Sequence, residues 1–259
     1  MTQEFPIRLS VTTFNVWGKN HWPQRSEALF QTFQSLRSDV YLLQEVQPQI
    51  IEYLDNNLSS RYCRVKGSAG WLTESNIYWN DGLLALVDYG KSDLEMEDYP
   101  NRGLFWVRLS LRANPEIKIF LSTAHFPWVG CDAELSTGIN QRIPAAIRVC
   151  ESFRKLVPPN EVAIFGGDLN DDYHPIRILN EEMGMIDVFE SLDLPPPITH
   201  PVRPSNPLEE MRPNRTLDWM LCLLPPQCRV VAAFAKTVRG GSFPPASDHL
   251  PVMAVFEIA

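Results

Sequence analysis

Six short segments of the chain join apolar residues to side chains that can bind a metal ion or a phosphate. They are Thr13-Phe14-Asn15, Leu42-Leu43-Gln44-Glu45, Ser122-Thr123-Ala124-His125, Gly166-Gly167-Asp168-Leu169-Asn170, Leu217-Asp218-Trp219 and Ser247-Asp248-His249. Carboxylates hold Mg²⁺ while the ion keeps its other positions for water and substrate oxygens. Each segment alone has an ordinary explanation, such as a solvated acid after a strand or a polar turn. The six together predict a site for metal-assisted chemistry on a phosphate.

The order and residue types of these segments resemble the endonuclease/exonuclease/phosphatase superfamily of metal-dependent phosphoesterases, from Asn15 to His249. The resemblance implies an α+β fold, a four-layer sandwich of two packed, mostly antiparallel β-sheets flanked by helices. It also implies a divalent-metal-dependent phosphoric ester hydrolase that uses in-line attack of water on phosphorus. The implied cofactor is Mg²⁺, with Mn²⁺ as an alternative.

The resemblance assigns Glu45, Asp248 and Asn15 to the metal side of the site. Glu45 matches the family's metal-ligand motif, and its carboxylate would hold Mg²⁺ against a phosphate oxygen. Asp248 would lie near the metal. Asn15 is implied to be both a metal-site and a catalytic residue, and it would position Asp168 or a metal-bound water.

Five further residues are implied to act on the phosphate or the attacking water. Asp168 would orient or deprotonate the water, and Asn170 would donate a hydrogen bond to the phosphate. His249 would contact the scissile phosphate as a proton-transfer partner or transition-state stabiliser, since its ordinary pKa is near neutrality. Asp218 would orient His249, and His125 would stabilise the phosphate. The resemblance leaves open whether Asp168 or His249 is the base.

Four residues are predicted to bind the substrate. Asn101-Arg102-Gly103 resembles a loop that supplies an arginine, and Arg142 could do the same, although both arginines could equally be solvated. Trp17 and Trp128 closely follow motif residues, so we expect them to line the cleft. Asp81-Gly82 resembles the position where many members carry Glu-Gly. The side chain of Asp81 is shorter than that of a glutamate and reaches less far toward His125.

Composition limits the protein class. The 259 residues, 44% of them hydrophobic, suit a single catalytic domain over residues 1–259. A net charge of −8 argues against a large basic surface for duplex binding. The five cysteines have no zinc-site spacing, so Zn²⁺ is not the expected metal. Neither a signal peptide nor an 18-residue apolar run is evident, so we expect no membrane anchor and a location in the cytoplasm or nucleus. We also expect a monomer.

Apolar periodicity and turn residues predict the elements that position these groups. Strands are predicted at Arg8–Phe14, Val40–Leu43, Tyr62–Lys66, Leu83–Asp88, Leu104–Leu111, Ile117–Ala124, Val162–Phe165, Leu217–Leu223, Arg229–Thr237 and Val252–Ile258. Helices are predicted from Pro23, from Pro48, at Ile143–Leu156 and at Pro175–Met183. Leu194–Pro213 is predicted as a long surface loop within the domain.

The substrate class is the least determined part of the prediction. Nucleic acid or a nucleic-acid end is the first choice, because Phe14–Gly18 and Gly167–Asn170 loosely resemble tyrosyl-DNA phosphodiesterases. The chain departs from that group at Leu169 and Asp171. A sphingomyelinase-like or small-molecule phosphoesterase is the alternative, and an inactive binding module is a third. Substrate choice is expected to reside in the loops Trp17–Trp22, Trp71–Asp81, Phe126–Asn140 and Leu194–Pro213.

Overall fold

Two six-stranded β-sheets pack face to face. The computed structural model describes residues 6–67, 69–202, 213–236 and 244–258. In spatial order, the first sheet contains β11 (Arg229–Ala235), β12 (Val252–Ile258), β1 (Ile7–Asn15), β2 (Val40–Gln44), β4 (Ser75–Asn80) and β3 (Tyr62–Arg64). The second contains β5 (Leu84–Ser92), β6 (Leu104–Leu111), β7 (Asn114–His125), β8 (Val162–Asp168), β10 (Asp218–Leu223) and β9 (Ile186–Asp187).

Helices cover the outer face of each sheet. They are α1 (Ser26–Leu36) and α2 (Pro48–Asn57) on the first sheet and α4 (Arg142–Leu156) and α5 (His174–Met183) on the second. The short helix α3 (Asp132–Thr137) has no buried residue, and Glu190–Leu192 forms one 3₁₀ turn. In the part of the chain that the structure describes, no helix is long and apolar enough to cross a membrane.

Three apolar layers hold the sandwich together. The central layer lies between the sheets and includes Leu42 and Ile164. Outside the first sheet, Leu43 packs with residues of α1 and α2. Outside the second sheet, Phe165 packs with Phe153 of α4. Because both faces of the central strands are buried, these strands read as nearly continuous apolar runs in the sequence.

One parallel strand pair lies within each sheet, and both pairs end at the site. β1 and β2 run parallel, with Asn15 opposite Gln44 at their ends. β7 and β8 run parallel, with His125 opposite Asp168, and the antiparallel β10 places Asp218 on the other side of Asp168. All remaining strand neighbours are antiparallel in the described residues. The predicted α+β sandwich of two mostly antiparallel sheets is therefore confirmed.

Most predicted elements are present, with shifted ends. The first helix begins at Ser26 rather than Pro23, and β5 continues to Ser92. The segment Trp71–Asp81, predicted as a loop, contains strand β4, and Phe126–Asn140 contains the short helix α3. Residues 203–212 of the predicted loop Leu194–Pro213 and Thr237 of the predicted strand Arg229–Thr237 lie outside the described residues.

Glycines allow the close backbone approach at the end of β8. A Cβ at Gly166 would lie 2.9 Å from side-chain atoms of Thr13 and Leu42 in the facing sheet. A Cβ at Gly167 would lie 2.1 Å from the carbonyl oxygen of Ala124 in the neighbouring strand. Both positions therefore require glycine for the sheets and strands to meet at the site.

We expect Gly167→Ala to lower the free energy of unfolding by about 1–3 kcal/mol or more, because the added methyl group meets fixed backbone. Gly82→Ala is the matched control, since a Cβ there comes no closer than 3.3 Å to the Asn80 side chain. Chemical denaturation of the two variants and the wild type measures the difference. Equal stabilities of the two variants would contradict the close approach.

Candidate active site

Asn15, at the end of β1, connects the two halves of the site. Its Nδ2 donates to Glu45 Oε1 at 3.1 Å and to Asp168 Oδ2 at 2.9 Å. Its Oδ1 accepts a hydrogen bond from the backbone N–H of Trp17 at 2.9 Å. The side chain is fully buried. Its amide nitrogen therefore faces both carboxylates, a geometry that suits positioning them more than ligating a metal.

Glu45 follows β2 in an unusual backbone conformation. Its φ is 57°, in the left-handed region that non-glycine residues rarely adopt. The loop at Gly18 leaves space for the Glu45 side chain, because a Cβ at Gly18 would lie 3.1 Å from Glu45 Oε2. Strained residues of this kind persist only where the surroundings hold them, and they cluster at functional sites.

Asp168, at the end of β8, is buried and surrounded by hydrogen-bond donors and histidines. Oδ1 accepts the backbone N–H of Asn170 at 3.0 Å, and Oδ2 lies 3.5 Å from His125 Nε2 and 3.7 Å from His249 Nε2. Burial alone would raise the pKa of Asp168, but the neighbouring His249 and His125, with the hydrogen bond from Asn15, lower it. The carboxylate is thus stabilised in its ionised form.

His249 is held by Asp218. Its Nδ1 lies 2.7 Å from Asp218 Oδ2, and both side chains are buried. This contact leaves Nε2 directed toward Asp168 and Asp248, at 3.7 and 4.0 Å. Burial alone would lower the pKa of His249, but Asp218, Asp168 and Asp248 raise it well above its ordinary value. The site therefore favours the imidazolium.

Asp248 is joined to the rest of the site through its neighbours. The Ser247 hydroxyl donates to the backbone carbonyl of Asn15 at 2.7 Å. The buried Arg25 donates to the carbonyls of Gly18 and Ala246, on the loop beside Glu45 and the segment before Asp248. Burial lowers the pKa of Arg25 to about 10, opposed by Asp248 and Glu45. Arg25 thus stays cationic at neutral pH and ties the loop beside Glu45 to the segment that leads to Asp248.

Asn170 has one amide hydrogen bond already made. Its Nδ2 donates to the carbonyl oxygen of Phe126 at 3.0 Å, and its φ of 50° turns the chain away from β8. Nδ2 carries a second hydrogen, so the predicted donation to a phosphate is compatible with this contact.

The two arginines predicted to bind substrate are both engaged inside the protein. Arg142 is 2% exposed and donates to both carboxylate oxygens of Glu134 at 2.8 Å, with Asp171 at 3.4 Å. Arg102 lies 3.0 Å from Glu74, donates to the Phe126 carbonyl and stacks on a tyrosine. The guanidinium of Arg142 is therefore buried in an ion-pair network, and its contact with the substrate stays a prediction.

The two tryptophans predicted to line the cleft differ in accessibility. Trp128 is 56% exposed, on the segment that follows β7. Trp17 is 6% exposed, and its ring lies 5.0 Å from that of His21 and 5.6 Å from the guanidinium of Arg25. Trp17 is thus part of the wall behind the site, and its contact with the substrate stays a prediction.

Glu74 is the partner of His125, and sequence reasoning missed it. Glu74 Oε1 lies 3.0 Å from His125 Nδ1. Burial alone would raise the pKa of Glu74, but His125 and Arg102 lower it. Asp81, which resembles the family's Glu-Gly position but has a shorter side chain, pairs with Arg112 on the surface at 2.6 Å. In the sequence, Glu74 directly precedes the apolar residues of β4, which could have marked it as a strand-end acid, but that strand was not predicted either.

His200 is the second missed residue. It lies in the proline-rich stretch, is buried, and its ring centroid is 4.6 Å from that of His249. Its Nε2 is 3.7 Å from Asp248 Oδ2. Nothing in the flanking sequence marks it as a site residue.

Comparisons with known proteins agree with this fold. A model described as Endonuclease/Exonuclease/phosphatase family matches residues 12–249. The structure of D. rerio TDP2 complexed with single strand DNA product aligns with a TM-score of 0.75 at 18% identity, covering 96% of this chain and 98% of that chain. The endonuclease/exonuclease/phosphatase from Bacteroides vulgatus gives 0.78 at 18% identity, covering 98% and 100%. The mannosyl-6-phosphatase of Bacteroides thetaiotaomicron gives 0.73 at 18% identity, covering 95% and 98%. A search of curated proteins found no match.

We expect Asp168→Asn to lower kcat by about 10²–10⁴-fold without unfolding the protein, because it removes the ionised group that faces both His125 and His249. Asp187→Asn is the matched control, since Asp187 is an equally buried aspartate on β9, away from this cluster. Steady-state kinetics and circular dichroism of both variants test this. Equal losses of kcat in the two variants would remove Asp168 from the catalytic group.

Proposed function

Because the chain belongs to the endonuclease/exonuclease/phosphatase family, as its motifs predicted, we propose that it is a divalent-metal-dependent hydrolase of phosphoester bonds. One observation carries the proposal: Asn15 bridges Glu45 to Asp168, and Asp168 in turn faces His249, which Asp218 orients. Carboxylates for a cation and an acid–base pair thus converge at the joined ends of the two sheets.

The donor set fits a hard divalent cation. Glu45 and Asp248 offer carboxylate oxygens, the ligands that Mg²⁺ and Mn²⁺ prefer. The space beside Glu45 Oε2 is kept open by Gly18. Glu45 and Asp248 would hold the ion, and Asn15 would position Glu45. A bound cation would supply positive charge to the phosphate oxygens.

Asp168 suits the role of general base. Both of its carboxylate oxygens accept hydrogen bonds, from Asn15 and from the backbone of Asn170, and these bonds favour the ionised form. An ionised carboxylate can orient a water and accept its proton. His249 would then stabilise the charge on the phosphate or protonate the leaving group, with its ring orientation fixed by Asp218.

His125 would support the same phosphate from the β7 side. Its Nε2 faces Asp168 and its Nδ1 contacts Glu74, which Arg102 neutralises. This arrangement repeats the Asp218–His249 pairing on the opposite side of Asp168. Two oriented imidazoles thus flank one carboxylate. An inactive binding module would have no need for such a set, which argues against that alternative.

A nucleic-acid end is the substrate class that we favour. Trp128 presents an exposed ring three residues beyond His125, where it could stack on a base next to the scissile phosphate. The similarity to a TDP2 structure that holds a single strand DNA product is consistent with this assignment.

A small phosphate ester is the second candidate. Arg142 is buried and Arg102 is paired with Glu74, so neither guanidinium is free for additional phosphates of a polymer. The similarity to a mannosyl-6-phosphatase points in the same direction. A sphingomyelinase-like substrate stays a third possibility to be tested beside these two.

Hydrolysis is expected to stop in excess EDTA and to return with Mg²⁺ or Mn²⁺. Glu45→Gln should raise the Mg²⁺ concentration needed for half-maximal rate, because it removes one anionic ligand while leaving Asp168 and His249 in place. Glu52→Gln, an exposed residue of α2, serves as the control. Full activity in EDTA would refute the metal requirement, and an unchanged Mg²⁺ dependence of Glu45→Gln would remove Glu45 from the ligand set.

A substrate panel decides the class: single- and double-stranded DNA, RNA, a 5′-phosphotyrosyl end, a sugar phosphate, sphingomyelin and inositol phosphates. Trp128→Ala should raise KM for a nucleic-acid end, since loss of a stacking aromatic costs about 1–3 kcal/mol per base. It should change KM for bis-p-nitrophenyl phosphate far less. Equal losses on both would assign Trp128 to the support of the core, and preferred hydrolysis of the sugar phosphate would select the second candidate.

A further inference from the structure

His200 is positioned from two sides by backbone hydrogen bonds. On one side, His200 and Arg215 exchange both of their backbone hydrogen bonds, at 3.0 and 2.8 Å. On the other side, the backbone N–H of Val202 donates to the carbonyl of Asp248, and that of Leu250 donates to the carbonyl of Thr199. The segment with His200 is thus fixed between the segments that lead to Asp218 and His249.

The Thr199 side chain strengthens this placement. Its Oγ1 accepts the backbone N–H groups of Leu217 and Asp218, at 3.0 and 3.1 Å. The same threonine therefore ties the segment of His200 to the residue that orients His249. A side chain carried on a backbone held in this way is preorganised, as binding sites require.

Three potential ligand atoms converge at this point. His200 Nε2 is 3.7 Å from Asp248 Oδ2, and His249 Nε2 is 4.0 Å from Asp248 Oδ1. The three residues offer ligand atoms that all lie within 4.8 Å of one another. In a tetrahedral site with ligands about 2.0–2.2 Å from Zn²⁺, two ligand atoms lie roughly 3.3–3.6 Å apart. The His200–Asp248 contact is close to this spacing, and the wider separations have to close by about 0.4–1.5 Å when the ion binds.

His249 already has the outer contact typical of a metal-binding histidine. Such histidines usually hydrogen-bond a carboxylate through their other ring nitrogen, which fixes the ring and its tautomer. Asp218 makes this contact with Nδ1 of His249 at 2.7 Å, and Nε2 is left facing Asp248. This observation is independent of the position of His200.

We propose that His200, Asp248 and His249 form a second metal site that binds Zn²⁺ and related nitrogen-preferring cations. Two imidazoles and one carboxylate match catalytic-type zinc ligand sets and do not suit Mg²⁺, which prefers oxygen. The spacing of cysteines and histidines along the chain does not indicate this site, because the two histidines are 49 residues apart and meet only in the fold. The site is distinct from the one proposed around Glu45, although both use Asp248.

Occupation of this site would inhibit hydrolysis, a consequence that rests on the proposed function. A cation on Nε2 of His249 has to displace the proton that the imidazolium carries there, and it removes that nitrogen from contact with the phosphate. Zn²⁺ is therefore expected to inhibit the Mg²⁺-supported reaction, and His200→Phe should restore activity in its presence. Phenylalanine keeps a ring against His249 and removes the ligand nitrogen.

Calorimetric titration with Zn²⁺ at saturating Mg²⁺ tests binding without relying on activity. His200→Phe should weaken Zn²⁺ affinity by at least about tenfold, the lower end of what loss of an outer-shell partner costs. His174→Phe is the matched control, because His174 is a half-exposed histidine paired with Asp171. Glu45→Gln should bind Zn²⁺ as the wild type does. Equal Zn²⁺ affinity of the wild type and His200→Phe overturns the site, and lost affinity in Glu45→Gln overturns its separateness.

Absorption spectra of the Co²⁺-loaded protein and inhibition assays complete the test. The wild type should give the visible bands of Co²⁺ with nitrogen ligands, and His200→Phe should lose them. At saturating Mg²⁺, with the rate of each protein expressed relative to its own rate without Zn²⁺, His200→Phe should require at least about tenfold more Zn²⁺ for half-inhibition. Unchanged half-inhibition in His200→Phe overturns the inhibitory role. A protein inactive on every substrate refutes the proposed function and leaves the binding result to decide the metal site.

Discussion

The burial of ionised groups at the joined ends of two sheets is the constraint on which this structure depends. Charged groups taken out of water are costly unless they are paired and hydrogen-bonded. Asp168 meets this requirement through Asn15, the backbone of Asn170 and two histidines. Much of the surrounding architecture can be understood as the means of bringing those partners to one carboxylate.

The pairing registers of the strands determine where these partners lie. His125, Asp168 and Asp218 lie side by side because β7, β8 and β10 are neighbours with that pairing. Asn15 enters from the facing sheet, and the absent side chain of Gly166 allows the two sheets to approach there. A shift of one residue in any of these strands would turn the functional side chain to the opposite face. The fold and the site are therefore specified by the same pairings.

The sequence was sufficient to predict the sandwich and the residues that end its central strands. Those residues follow buried apolar runs, so pattern and motif agree. Glu74 was missed because it precedes β4, and that strand was hidden among aromatic and polar residues. His200 was missed because its position depends on backbone contacts with Arg215 and Asp248, which no local pattern encodes. The burial of Arg142 and Trp17 was not predicted, because it depends on neighbours such as Glu134 and Arg25 that are not adjacent to them in sequence.

The arginines near the site are engaged with other groups of the protein, so the residues proposed to act on the phosphate differ from those proposed to choose the substrate. In the described part of the chain, Arg25, Arg102 and Arg142 are used to hold loops and carboxylates. These arginines thus stabilise the anionic cluster, and we propose that recognition of groups beyond the phosphate falls to exposed residues such as Trp128. Exposed loop residues can change at little cost to stability, whereas a change in the buried arginines would leave carboxylates unpaired. The same machinery could therefore serve different phosphate esters through changes confined to the loops.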